Sequence, residues 1–121
     1  KSRSTSPMTT HILDQLYAVL QERKKESANK SYVASLYTKG ADKIAAKITE
    51  EAEETNVEGI ALEQDPTNES IRKALTSESA DLIFHLMVML SHHNIPPSDV
   101  FKVLEGRFGI SGHDEKASRT K

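Results

Sequence analysis

The chain has 121 residues, a formal net charge of −2 and a hydrophobic content of 36%, which together fit one domain with a modest core. That charge gives no basic footprint for nucleic acid and no polybasic patch for a membrane surface. The absence of cysteine rules out disulfides and thiolate metal sites and turns attention to oxygen ligands for any metal.

The first methionine is Met8, so "KSRSTSP" is expected to be an expression remnant over residues 1–7. Without Lys1 and Arg3 the net charge moves from −2 to −4. Thr9 or Thr10 is placed to cap a first helix carrying Ile12, Leu13, Leu16, Tyr17 and Leu20 at helical spacing. "NKSYVASLYTKG" reads as a short helical or irregular segment closed by Gly40. A further helix is expected from about Ala41 to Leu62, broken by Pro66 in "EQDPTNES". Ser70 or Asn68 suits the cap of the next helix, which runs to about His93. "NIPPSD" then breaks the chain, and Ser98 is placed to cap a last helix ending near Arg107. These elements predict an all-α bundle of four to five helices over residues 8–107, with a flexible tail over 108–121. No apolar run reaches the roughly 20 residues of a membrane span, so a cytoplasmic protein is expected.

"LIFHLMVML", residues 82–90, has His85 as its only polar side chain. A helix apolar around its whole circumference is buried inside a bundle or between subunits, and the thin apolar cover elsewhere predicts a homodimer.

The acidic stretch "ITEEAEET" needs its own explanation. At about 100° per residue, with Ile44 at zero, Glu51 falls at about 340° and Glu54 at about 280°, on the edge of the apolar stripe. Lys47 lies between them, Glu50 flanks them at about 240°, and Glu53 points to solvent at about 180°. On the following helix, with Ile71 at zero, Glu78 lies at about 340° inside the stripe and Asp81 at about 280°. Each helix therefore carries an inward acidic pair, and antiparallel packing brings the pairs together.

Four carboxylates in a partly apolar setting cannot all stay ionised, because burying each ion costs several kcal/mol. A hard divalent cation neutralises them, and magnesium in such sites also takes phosphate oxygens. The expected ligand therefore bears phosphate. A di-iron bundle needs Glu-x-x-His on two helices, whereas here the second pair is Glu78-x-x-Asp81 and His85 comes four residues later. No G-x-x-x-x-G-K loop occurs, so phosphate contacts fall to the metal and basic side chains, Lys47 first. His85 is a candidate substrate contact, set against the commoner role of a hydrogen-bonded core histidine.

The pattern Glu50, Glu51, Glu54 followed by Glu78 and Asp81 resembles the signature of the all-α, MazG-like nucleoside-triphosphate pyrophosphohydrolases. "SYVASLYTKGADKIAAKITEEAEET", "ESADLIFHLMVML" and "SGHDEKASR" together resemble the phosphoribosyl-ATP pyrophosphohydrolase family of histidine biosynthesis, over about residues 10–119. The resemblance implies magnesium-dependent hydrolysis of the α–β phosphoanhydride of N1-(5-phosphoribosyl)-ATP to phosphoribosyl-AMP and pyrophosphate. It implies Glu51, Glu54, Glu78 and Asp81 as metal ligands, with Glu50 and Glu51 in the catalytic centre. Lys39, Lys43, Lys47, Lys116 and Arg119 become candidates for the substrate's phosphates. Asn56, Glu58 and Gly59 depart from the small aliphatic residues usual in the family, and Glu58 lines up with the acidic face. At this length the chain has no room for the cyclohydrolase domain fused in some relatives, which implies the monofunctional form. Two other readings stand beside this one: a house-cleaning pyrophosphohydrolase of other specificity, and a non-catalytic helical dimerisation module.

Overall fold

The computed structural model describes residues 11–109, which form five helices and, among the described residues, no strand. They are α1 (Ile12–Arg23), α2 (Tyr32–Lys39), α3 (Ala41–Gln64), α4 (Glu69–His92) and α5 (Pro97–Phe108). The all-α expectation is met, and the short segment before Gly40 is a regular helix.

The caps show how local chemistry sets the ends. His11 caps α1, its Nδ1 accepting the Leu13 amide at 3.0 Å, while Thr9 and Thr10, the expected caps, lie outside the described residues. The ring nitrogen does what a threonine hydroxyl does elsewhere. Ser31 caps α2 by accepting the Ala34 amide at 3.1 Å. Gly40 then ends α2 and begins α3 with no residue between, at φ 92° and ψ −174°, a region open almost only to glycine. Asn68 caps α4 by accepting the Ile71 amide, which leaves Ser70 inside the helix. α3 persists to Gln64, slightly past the expected end at Leu62, because Pro66 acts only beyond the last turn.

The end of α4 is a complete Schellman turn. Asn94 has φ 62°, the Ile95 amide donates to the Leu90 carbonyl at 2.9 Å, and the Asn94 amide donates to Ser91 at 2.9 Å. Ser98 does not cap α5. That helix starts at Pro97, after an extended Pro96, with no side-chain cap. Proline at the first helical position has no amide hydrogen to satisfy and a preset φ. α5 continues to Phe108 and closes on a left-handed Gly109.

The short turn after Gln64 folds α4 back along α3, and this hairpin is the most extensively packed pair in the fold. α2 lies against α3, and α1 lies against α4 and touches α5. Leu20, Val33, Leu36, Ile44, Met87 and Val88 form the core, drawn from α1 to α4. At its edge the Ser91 hydroxyl, fully buried, accepts from Gln21 Nε2 at 2.8 Å and from the Tyr37 hydroxyl at 2.8 Å.

Among the described residues, α4 is not buried on all sides. Met87 and Val88 are enclosed, while Ile83 and Leu86 are 45% and 44% exposed. They look into an apolar groove shared with Leu13, Val100 and Leu104.

Candidate metal centre

The acidic pairs converge between α3 and α4. Glu50, Glu51 and Glu54 each offer an oxygen within 4.8 Å of the others, and so do Glu51, Glu78 and Asp81. Glu51 belongs to both groups. It is 7% exposed, and its Oε1 has no hydrogen-bond partner; the same holds for Oε1 of Glu78. Glu50, Glu54 and Asp81 are exposed at the rim, and Glu53 points to solvent as its position on the helix predicts. Glu50 is closer to the centre than its flanking position on the wheel suggests, because it completes the first group. Glu58 belongs to neither.

The electrostatics follow from that crowding. Burial first, then the neighbouring Glu54 and Glu51 carboxylates, push the Glu78 carboxyl up to about 7. Burial and the Glu54 charge also raise Glu51. Lys47 supplies the nearby positive charge, its Nζ 3.1 Å from Glu50 Oε1, and that hydrogen bond raises its pKa and keeps it an ammonium.

Two buried, unpartnered carboxylate oxygens amid an all-oxygen donor set fit a hard divalent cation. Orphaned acceptors of this kind cost about 1–3 kcal/mol each, more when charged, and a cation removes that cost.

The remaining predicted site residues divide into three groups. His85 is buried, with Nδ1 2.8 Å from the Asp81 carbonyl oxygen and Nε2 2.9 Å from the Tyr32 hydroxyl. Lys39 and Lys43 are exposed and, among the described residues, pair with no carboxylate. Lys116 and Arg119 lie outside the described residues. Sequence reasoning missed Tyr32, which opens α2 and whose hydroxyl feels Lys47, Glu51, Glu50 and Asp81. Its link to His85 spans 53 positions and leaves no periodic trace.

A helical hairpin carrying two facing acidic pairs on an all-α scaffold makes a carboxylate centre of the kind that suits a hard cation. The chain matches the phosphoribosyl-ATP pyrophosphohydrolase family over residues 13–108. It is 46% identical over 114 residues to the phosphoribosyl-ATP pyrophosphatase of Hydrogenovibrio crunogenus, covering 94% of this chain and 97% of that one. It is 45% identical to the protein of the same name from Zymomonas mobilis, covering 94% and 99% of the two chains. The one from Geobacter sulfurreducens is 44% identical, covering 91% and 94%. The chain belongs to the phosphoribosyl-ATP pyrophosphohydrolase family.

Proposed function

We propose that this chain hydrolyses the α–β phosphoanhydride of N1-(5-phosphoribosyl)-ATP, releasing phosphoribosyl-AMP and pyrophosphate, with magnesium as its cofactor. The observation that carries the proposal is the pair of orphaned oxygens on Glu51 and Glu78, set where the two acidic groups meet, in a chain of this family.

Glu51, Glu54, Glu78 and Asp81 would hold the cation. When bound, it polarises phosphoryl oxygens and offsets the charge that develops on the leaving pyrophosphate. The protein's own residues do the rest. Glu50, exposed at the rim and paired with Lys47, is open to solvent and would be the base for the attacking water. Its carboxylate accepts a water proton as the new phosphorus–oxygen bond forms. Lys47, held as an ammonium beside it, meets a phosphate oxygen without first having to be charged. Lys39, Lys43, Lys116 and Arg119 are the further candidates for the phosphates of the substrate.

The apolar groove of Ile83, Leu86, Val100 and Leu104 supports a homodimer in which a second copy covers the open side of α4. No helix of the described residues is long and apolar enough to cross a membrane, and a cytoplasmic location is proposed with the biosynthetic role.

The experiment is product analysis by ³¹P NMR with magnesium present. One equivalent of pyrophosphate with one of phosphoribosyl-AMP is expected. Orthophosphate with the corresponding nucleoside diphosphate would place cleavage at the β–γ bond and contradict the proposal.

A further inference from the structure

Tyr32 is half exposed at the start of α2, yet its hydroxyl is fixed from behind. His85 reaches it from α4, with Nε2 at 2.9 Å and the rings edge-on at 5.9 Å. His85 is itself only 5% exposed, and the Phe84 ring stands edge-on to it at 5.0 Å.

The direction of these hydrogen bonds follows from chemistry. Nδ1 of His85 lies 2.8 Å from the Asp81 carbonyl oxygen, which can only accept, so Nδ1 carries the hydrogen. In the neutral ring Nε2 is then bare, and the Tyr32 hydroxyl must donate to it. The phenol's single proton is thus turned toward the protein. Its oxygen has only lone pairs left to offer, and the charges of Lys47, Glu51, Glu50 and Asp81 all act on it. Lys47 gives one of its three hydrogens to Glu50 and has another directed to a substrate phosphate, and ionised carboxylates only accept. The free lone pair of the Tyr32 oxygen is open to a small O–H donor.

We propose that Tyr32 is a positioning residue that accepts one O–H of the attacking water, and that His85 holds it in the acceptor-only state. The inference rests on the reading that the carboxylates face the scissile anhydride. With one hydrogen on Tyr32 and the other on Glu50, the water's lone pairs point away from both toward phosphorus. Its oxygen bonds to phosphorus, the anhydride P–O bond breaks with its electron pair leaving on pyrophosphate, and one water proton passes to Glu50. Tyr32 keeps its own proton throughout.

Tyr32→Phe removes the oxygen and keeps the ring. A misplaced nucleophile costs on the order of 10²-fold, so kcat should fall by about that factor while KM for phosphoribosyl-ATP stays within about twofold. Mn²⁺ binding by calorimetry should be unchanged, because the phenol is not a ligand. His85→Gln, whose side-chain carbonyl can take the Tyr32 proton, should retain more kcat than His85→Leu. The ¹⁵N spectrum of the wild-type protein should show His85 protonated at Nδ1. A kcat within about threefold of wild type, a loss carried by KM or by weaker Mn²⁺ binding, or a His85 protonated at Nε2 would each overturn the proposal. Wild-type Mn²⁺ binding, and its loss in Glu78→Gln, tests the carboxylate reading separately.

Discussion

Cation binding by this centre should displace a proton, and the amount can be worked out from Glu78. Its carboxyl is pushed up to about 7, and a ligand must be deprotonated to bind metal. A group titrating at about 7 is roughly nine-tenths protonated at pH 6, half at pH 7 and one-tenth at pH 8. Proton release per cation should therefore fall from about 0.9 to about 0.1 across that range, and the apparent Kd should tighten about tenfold. Glu51, raised in the same direction, adds to the trend. Calorimetric titration with Mn²⁺ in two buffers of different ionisation enthalpy measures the released proton directly. Glu78→Gln should remove most of the pH-dependent release along with most of the affinity. Release that is constant with pH, or that is undiminished in Glu78→Gln, would refute the reasoning.

The same shift sets the stability of the metal-free protein. Glu78 is raised from 4.5 to about 7 on folding, so the folded state binds the extra proton; its contribution is complete below about 4.5 and lost as pH rises through about 7. The metal-free Tm should fall between pH 5 and pH 8 and recover when magnesium is added at pH 8; a flat metal-free profile would contradict this. Ile44 is fully enclosed, and Ile44→Ala should cost about 2–5 kcal/mol in urea unfolding. Gly40→Ala should cost about 1–3 kcal/mol from backbone strain alone, since an added Cβ meets no atom within 4 Å. Glu53→Ala should leave kcat unchanged and shift stability by no more than about 0.5 kcal/mol, because Glu53 points to solvent and belongs to neither acidic group.

Much of the centre was legible because helical geometry is strict. Once Pro66 forces a hairpin, residues placed on facing stripes must meet, and Glu51, Glu54, Glu78 and Asp81 do. The wheel also separated Glu53 from its neighbours. Glu54 and Asp81, expected on the stripe's edge, lie at the exposed rim, so burial falls mainly on Glu51 and Glu78. Helix starts were less legible where the cap departs from habit. His11 accepts an amide through a ring nitrogen, and Pro97 needs no cap, so Ser98 does not take the expected part. The hardest feature to read was the Tyr32–His85 pair, which depends on how α2 lies across α4. That placement follows from the Gly40 corner and the Ser31 cap. The open face at Ile83 and Leu86 narrows the expectation for an all-apolar helix: among the described residues the bundle does not enclose it, which leaves cover between subunits as the alternative the sequence offered.

The most direct test of the account is pyrophosphate release from phosphoribosyl-ATP by wild type and Glu78→Gln, with magnesium or with chelator, and with ATP run alongside. The account predicts magnesium-dependent release from phosphoribosyl-ATP by the wild type alone. Release that persists in chelator or in Glu78→Gln, or that favours ATP, would contradict it.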